Sequence, residues 1–208
     1  MKPRKIFLLI IVLVEWFALI AQLALHVQAV PTGLTESLIR FFSFFTILTN
    51  ILVAVYATVL LTSPANKQSG FFFSASTQTA IALYIIVVGL IYNIVLRQLW
   101  DSTGLQAVLH DLLHTLAPLL LLIYWWKWVN ARSLTFRNIP SWLVYPAVYA
   151  IIVVIRGHWP NWYPYPFLDA GKIGYSKVLI NSAGLVIVFL VFSFLFVFLG
   201  KRKSSTAD

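Results

Sequence analysis

The sequence predicts an all-α membrane protein, with six transmembrane helices forming one bundle and one domain over residues 1–208. Its composition is the first reason: 61% of the 208 residues are hydrophobic and 10% are charged, whereas about a quarter of the residues of soluble domains are charged. The second is that the hydrophobic residues, with a mean hydropathy of +0.89, form runs long enough to cross about 30 Å of hydrocarbon.

Composition also excludes several classes of protein. The net charge of +9 comes from Lys and Arg in short clusters between apolar runs, so nucleic-acid binding is not expected. The absence of cysteine excludes disulfides, thiolate metal sites and cysteine nucleophiles. The first apolar run is too long for a signal-peptide core and lacks a small-residue cleavage site, which predicts that it is a retained span.

Apolar runs and turn residues place the helices along the chain. The first carries Glu15 near its middle, as either a neutral packing residue or a functional one. The second begins after a turn at Pro31, Thr32 and Gly33, and its Ser43, Thr46 and Asn50 share one face. The helices are predicted over about 6–27, 37–62, 74–96, 107–128, 139–155 and 175–200.

Prolines shape the second half of the chain. Pro118 lies inside the fourth helix, where its missing N–H should kink the helix or free a backbone carbonyl one turn from His114. The stretch 156–169 is too rich in proline for a helix and too aromatic for a solvated linker. Because Trp and Tyr concentrate at membrane interfaces, we expect residues 163–169 to fold back as a cap over the bundle.

The distribution of positive charge predicts the orientation. Six spans place both termini on one side, together with the loops after the second and fourth helices. That side holds ten of the fifteen Lys and Arg: Lys2, Arg4, Lys5, Lys67, Lys127, Arg132, Arg137, Lys201, Arg202 and Lys203. The positive-inside rule therefore predicts cytoplasmic termini, in a multi-pass protein of the cytoplasmic or plasma membrane.

Polar residues converge on the third of the bundle that lies farthest from the positively charged, cytoplasmic side. At 1.5 Å per residue, Thr46 lies about 13 Å into the second helix and His114 about 10 Å into the fourth, so the two are at nearly one level. Further polar residues of this third are His110, Asp111, Asn93, Arg97, Arg156, His158 and Asn181, with Tyr165 and Asp169 of the cap. We expect a pocket that is polar above and apolar below, open to the outer side or laterally to lipid.

Three interpretations of these residues stay open. In the first, Thr46 is a nucleophile and His114 the base that takes its proton, with His110 or Asp111 in support. In the second, His110, Asp111 and His114 bind a metal together with Glu15 or His158, although an HExxH pattern is absent. In the third, both histidines are hydrogen-bonded structural residues. The sequence predicts no cofactor.

Three segments resemble one family. They are Phe45-Thr46-Ile47-Leu48-Thr49-Asn50, His114-Thr115 followed by Pro118, and Trp162-Tyr163-Pro164-Tyr165-Pro166-Phe167-Leu168-Asp169. With six spans, they are similar to the androgen-induced-gene family of membrane proteins and its bacterial relatives. The resemblance implies an integral-membrane hydrolase of fatty acid esters of hydroxy fatty acids, in which the threonine nucleophile falls on Thr46 and the histidine on His114.

Two departures from the family pattern leave competing assignments. The animal proteins have an aspartate shortly after the threonine, where this chain has Thr49 and Asn50, and the spacing from histidine to proline differs by one residue. Thr49 therefore competes with Thr46 as nucleophile, and His110 competes with His114 as base.

The expected substrate is a membrane lipid or fatty-acyl ester, whose tails suit a pocket that excludes water. Arg97 or Arg156 would hold a carboxylate, and Tyr165 and Asp169 would contact the substrate from the cap. The side chains of Asn50, Asn93 or Asn181 would donate to an oxyanion. The alternatives are a non-catalytic lipid-binding or transport protein that uses the same cavity, and a structural membrane partner without one. The oligomeric state does not follow from the sequence.

Overall fold

The computed structural model describes residues 2–29, 33–64, 66, 69–99, 102–159 and 161–203. Over these residues the chain is helical and contains no strand. The α-helices are α1 (Pro3–Ala29), α2 (Leu34–Phe41), α3 (Phe45–Thr62), α4 (Ala75–Ile91), α5 (Gly104–Asp111), α6 (Ala117–Trp128), α7 (Ile139–His158), α8 (Ala170–Ile173) and α9 (Tyr175–Arg202).

Six spans within the described residues are long and apolar enough to cross a membrane, which confirms the predicted fold class. They are Pro3–Ala29, Phe45–Thr62, Ala75–Leu99, Gly104–Trp128, Phe136–His158 and Tyr175–Arg202. The span built on α4 is the most buried: 67% of its most apolar 18-residue stretch lies inside the protein, against 28% for α1 and α9 and 22% for the span that contains α7. The α4 span is therefore the centre of the bundle, and the outer helices expose apolar side chains, as a surface in contact with lipid requires.

The start of α1 and the end of α9 lie at one end of the bundle, here called the terminal end. Near the start of α1, Arg4 Nε donates to the Tyr124 hydroxyl at 3.0 Å. Just after α9, Lys203 Nζ donates to the carbonyls of Trp125 and Val129, both at 2.6 Å. The opposite end, here called the cap end, carries the segment between α7 and α9.

The prediction of one continuous helix over 37–62 is wrong, because the helix is broken between Phe41 and Phe45. The Tyr149 hydroxyl donates to the Ser43 carbonyl at 2.8 Å and accepts the Phe45 N–H at 3.2 Å. These bonds satisfy backbone groups that a continuous helix would have paired internally. Thr46 consequently lies in the first turn of α3 instead of in the middle of a helix.

The boundary of the loop before α9 also differs from the prediction. Arg156 and His158 belong to α7, which continues to His158. After it, the segment 161–173 contains a 3₁₀ turn at 166–168 and the short α8. Tyr165 is 6% exposed and Leu168 2%, which confirms that this part of the segment is packed against the bundle. We call residues 161–173 the cap.

Pro118 acts on the backbone as expected. A proline lacks the N–H that would bond to the carbonyl four residues earlier, and here that carbonyl belongs to His114. Asn93 Nδ2 donates to it at 3.1 Å, and the helix opens into a π turn over Leu112–Leu116. Gly89 allows this close approach, since a Cβ at that position would lie 2.8 Å from the His114 carbonyl oxygen.

Candidate functional site

Two cavities lie side by side at the cap end. One has a volume of about 320 Å³ and an almost entirely apolar lining, which includes Val88, Ala150 and Val186. The other has a volume of about 590 Å³ and a lining that includes polar side chains. We call them the apolar cavity and the polar cavity. Thr46, Leu96 and Tyr165 line both of them.

The polar cavity collects side chains from α1, from the start of α3, from the fourth span and the two residues before it, and from the cap. Its polar lining residues are Gln22, His26, Thr46, Ser102, Thr103, Gln106, His110, His114 and Tyr165. The convergence of Thr46 and His114 on one cavity, which the sequence predicts from their similar depths, is thus found in the fold. A cavity with a few convergent polar groups is the usual form of a small-molecule site.

Thr46 lies in the wall between the two cavities. Its backbone N–H donates to the Tyr165 hydroxyl oxygen at 3.2 Å, and its Oγ1 is 3.4 Å from the same oxygen. The residue is 8% exposed. A group bound at Thr46 would therefore have access to the apolar cavity on one side and to the polar cavity on the other.

His114 is held in one orientation and one tautomer. Its ring stacks on that of Tyr92 with the centroids 3.7 Å apart. Its Nδ1 lies 2.9 Å from the His110 carbonyl oxygen, and since a carbonyl only accepts, Nδ1 must carry the proton. In the neutral ring, the lone pair is consequently on Nε2, which has no hydrogen-bond partner within the described part of the chain.

A polar chain supports the backbone of His114. Asn93, which bonds to the His114 carbonyl, accepts at its Oδ1 a hydrogen bond of 2.9 Å from Arg97. Arg97 in turn forms an ion pair of 3.0 Å with the half-exposed Asp111. The expectation that Asp111 supports an imidazole therefore needs revision, because its carboxylate bonds to Arg97 and reaches His114 only through Asn93.

No hydrogen bond joins the side chains of Thr46 and His114, both of which are described. The Thr46 hydroxyl is within hydrogen-bond distance of Tyr165 instead. The two residues thus share the polar cavity without touching, and a water molecule or a movement on binding would be needed to connect them.

The competing residues are less suitable for catalysis. Thr49 is fully buried, its hydroxyl lies 3.2 Å from that of Tyr145, and it lines neither cavity. Both ring nitrogens of His110 are bonded, Nδ1 to the Ser102 hydroxyl at 2.9 Å and Nε2 to the Gln106 amide at 2.7 Å. A base needs a free lone pair, and His110 has none in this arrangement.

The three asparagines proposed as oxyanion donors bond to the backbone. Asn50 donates to the Thr46 carbonyl at 2.8 Å and Asn181 to the Phe167 carbonyl at 2.9 Å. Asn93 donates to His114, as described above. The amides therefore bond to backbone in the first turns of α3, in the cap and at the π turn, and the donors at the site must be sought elsewhere.

Arg156 and Asp169 have positions within the cap-end framework. Arg156 bonds to the Ser43 hydroxyl and lies over the ring of Trp162, 5.8 Å from its centroid. The Asp169 carboxylate accepts the Lys172 N–H at 3.1 Å and so caps the short α8. Neither residue lines the two cavities described above.

A metal site does not form from the residues suggested by the sequence. The described residues contain no group of three His, Asp or Glu placed to hold an ion. Glu15 lines neither cavity; it is 1% exposed, and its two carboxyl oxygens have no hydrogen-bond partner within the described chain. His158 lies elsewhere on the surface, with Nδ1 3.1 Å from the Tyr175 hydroxyl.

Sequence reasoning missed several residues of the site. Gln22 and His26 line the polar cavity from α1, and their spacing of four residues on one helix face was a usable signal. Tyr149 was missed because its two backbone bonds belong to a helix break that the hydrophobic pattern does not reveal.

The fold and site thus define a multi-pass α-helical membrane protein with paired apolar and polar cavities at one end. Comparisons with family models, with curated proteins and with solved structures give no significant match. The family resemblance therefore rests on the three sequence segments alone.

Proposed function

We propose that the protein is an intramembrane hydrolase of lipid esters and a bacterial-type relative of the androgen-induced-gene family. Thr46 is the nucleophile and His114 the general base. The observation that carries the proposal is the position of Thr46, which lines both an apolar and a polar cavity. An ester with a long acyl chain needs such a boundary, because its chain and its reacting carbonyl require different surroundings.

The apolar cavity takes the acyl chain. Its lining from α4, α7 and α9 is nearly devoid of polar groups, and Ala150 and Val186 are among its walls. Burial of each methylene group contributes about 0.8 kcal/mol, so a long chain gains most. A fatty acid ester of a hydroxy fatty acid, the substrate class of the family, is the expected substrate.

The polar cavity supplies the proton transfers. His114 Nε2 takes the proton of the Thr46 hydroxyl through one water molecule as Oγ1 bonds to the ester carbon. The same imidazolium then protonates the departing alkoxide. Water attacks the resulting acyl-threonine in the second half of the cycle, with His114 again as base, and releases the fatty acid.

A lipid-binding or transport protein is the second candidate. The observation that favours it is the absence of a hydrogen bond between Thr46 and His114, two residues that the structure describes. In that case the apolar cavity would hold an acyl chain without any covalent step. A purely structural partner without a cavity is disfavoured by the two volumes at the cap end.

Labelling with a long-chain fluorophosphonate and hydrolysis of a long-chain ester separate the two candidates. Thr46→Ala and His114→Ala should each abolish both readouts, and Thr46→Ser should keep part of the activity because it retains a hydroxyl. The double variant should be scarcely worse than either single one, since members of a catalytic unit are not additive.

Thr49→Ala is the matched control, because it removes the same hydroxyl one turn along α3 and outside both cavities. It should leave labelling unchanged. If instead Thr46→Ala is still labelled and active while Thr49→Ala is not, the nucleophile assignment is wrong. Failure of the wild-type protein to react at all would favour lipid binding.

We also propose that the terminal end faces the cytoplasm, as the positive charges predict. Of the loop residues in this prediction, Lys67 lies outside the described residues. The native chain has no cysteine, so a single cysteine can report on each side. Trp159→Cys, at a position that is 78% exposed, should react with an impermeant thiol reagent from outside whole cells, and Lys201→Cys should not. The reverse pattern would overturn the orientation.

A further inference from the structure

The hydroxyl of Tyr165 is within hydrogen-bond distance of the Thr46 hydroxyl, yet the proposed reaction gives Tyr165 no role. Its hydroxyl oxygen lies 3.4 Å from Thr46 Oγ1 and accepts the Thr46 N–H at 3.2 Å. Its side chain lines both cavities. The carbonyl oxygen of an ester attacked by Thr46 would lie about 2.3 Å from Oγ1, within donor distance of this phenol when the carbonyl points toward it.

The surroundings of Tyr165 make its hydroxyl a hydrogen-bond donor. Burial raises the pKa of this phenol, so it keeps its proton at neutral pH and can donate it. Its oxygen accepts an N–H from the first turn of α3, where the positive end of the helix dipole lies. An N–H···O–H chain of this kind polarises the outer O–H and strengthens it as a donor.

We propose that Tyr165 is a catalytic residue that donates its phenolic hydrogen bond to the ester carbonyl oxygen while Thr46 attacks; this inference rests on the proposed hydrolase function. As the Oγ1–carbon bond forms, the π electron pair of the carbonyl moves onto the oxygen, and the phenol stabilises that negative charge. The phenolic proton stays on Tyr165. The carbonyl re-forms when the alkoxide leaves with the proton from His114.

The asparagine side chains do not compete for this role. The amides of Asn50, Asn93 and Asn181 all donate to backbone carbonyls. Of the hydroxyl groups next to Thr46, that of Tyr165 is within hydrogen-bond distance of Oγ1. It is therefore the donor best placed to meet charge that develops at Thr46.

Tyr149 provides a matched control. Its hydroxyl accepts the Phe45 N–H at 3.2 Å, as Tyr165 accepts the N–H of the next residue. Its proton, however, goes to the Ser43 carbonyl at 2.8 Å. Tyr149 thus supports the helix break in the same way as Tyr165 but has no proton to offer an ester.

The test compares Tyr165→Phe with Tyr149→Phe in the full-length protein, using a long-chain 4-nitrophenyl ester. Loss of one oxyanion donor lowers kcat by about 10²–10³-fold, so Tyr165→Phe should show that loss with little change in KM. Tyr149→Phe keeps the ring that lines the apolar cavity and removes a hydroxyl that donates to the Ser43 carbonyl, so it should lose much less of kcat than Tyr165→Phe. Thr46→Ala is measured in parallel.

The outcomes distinguish a failure of the proposed role of Tyr165 from a failure of the proposed hydrolase function. An inactive Thr46→Ala together with a Tyr165→Phe of near wild-type kcat overturns the role of Tyr165 and leaves the hydrolase intact. An active Thr46→Ala overturns the proposed nucleophile instead. Equal losses in the two tyrosine variants would make Tyr165 a structural residue that holds the helix break.

Replacement of Tyr165 by 3-fluorotyrosine decides the matter if Tyr165→Phe does not fold. This residue keeps the hydroxyl and the shape of tyrosine but has a lower phenol pKa. A hydrogen-bond donor at the reacting oxygen must be protonated. The pH profile of kcat should therefore show an additional fall on the alkaline side. An unchanged pH profile would overturn the proposal.

Discussion

The two ends of the bundle treat their polar groups in opposite ways. At the terminal end, the ammonium group of Lys203 is enclosed by protein: it bonds to the carbonyls of Trp125 and Val129 at 2.6 Å and lies 4.6 Å from the Trp125 ring centroid. At the cap end, the hydroxyl of Thr46 and the imidazole of His114 line a cavity.

Helix α9 carries one buried glycine near the terminal end and one exposed glycine nearer the cap end. A Cβ at Gly200, near the terminal end, would lie 2.8 Å from the Ala131 carbonyl oxygen, whereas a Cβ at Gly184, nearer the cap end, would meet no atom within 4 Å. Buried polar groups are tolerated when protein atoms pair them. Polar groups that face a cavity inside a membrane protein instead indicate a function. The terminal end thus pairs its buried ammonium group with protein atoms, whereas the cap end leaves a hydroxyl and an imidazole facing a cavity.

The largest expected effect on activity comes from filling the apolar cavity. Ala150→Trp places a large ring where an acyl chain should bind. We expect hydrolysis of a long-chain ester to fall at least about tenfold, equivalent to about 1.4 kcal/mol, while hydrolysis of an acetyl ester persists. Parallel assays of the two esters measure the difference.

Ile151→Trp is the control, because the neighbouring side chain is 59% exposed on the outer face of α7. It should leave both activities unchanged. If Ala150→Trp reduces the two activities equally, the apolar cavity is not the acyl site. The difference between the two ends of the bundle would then not reflect substrate binding at the cap end.

The largest expected effect on stability comes from pH at the terminal end. Burial lowers the pKa of Lys203 from 10.5 to about 8, so between these values the unfolded chain binds the proton more tightly. Stability should therefore rise with pH over this interval, by at most about 3 kcal/mol. Below about pH 8 both states are protonated, and the full cost of burying the charge remains.

Thermal unfolding in detergent from pH 7 to 10.5 tests this expectation. Lys203→Met should lack the rise, and Lys201→Met, which removes an exposed charge, should keep it. Parallel curves for the wild type and Lys203→Met would contradict it.

The smallest effect concerns the two glycines of α9. Gly200→Ala should lower the free energy of unfolding by roughly 1–2 kcal/mol, because the added methyl group meets backbone. Gly184→Ala should be neutral or raise it by up to about 1 kcal/mol, as alanine favours a helix. Equal effects in an unfolding titration would show that the close approach of Gly200 to the Ala131 carbonyl does not restrain α9.

Much of the fold follows from the sequence alone. Six apolar runs determine six spans, since hydrocarbon requires long helices whose backbone bonds are internal. Pro118 likewise determines that the carbonyl of His114 lacks its usual partner within the helix, because a proline has no N–H to bond to it. The prediction that the cap packs on the bundle follows from its aromatic residues.

Part of the site also follows from the sequence. The equal depth of Thr46 and His114 predicts that they share a level, and both line the polar cavity. The break before α3 does not follow, because the bonds that stabilise it come from Tyr149, more than a hundred residues away in sequence. A local pattern of apolar residues contains no information about such a partner.

The sequence by itself thus determined the class of protein, the number of spans and the level at which polar groups gather, because these depend on local hydrophobicity and spacing. The tertiary structure alone decided which groups are free to react. It bonds Asp111 to Arg97, turns the asparagine amides to backbone carbonyls and leaves Nε2 of His114 without a partner among the described residues. Hydrogen-bond partners are set by distances between helices, and those distances exist only once the bundle has formed.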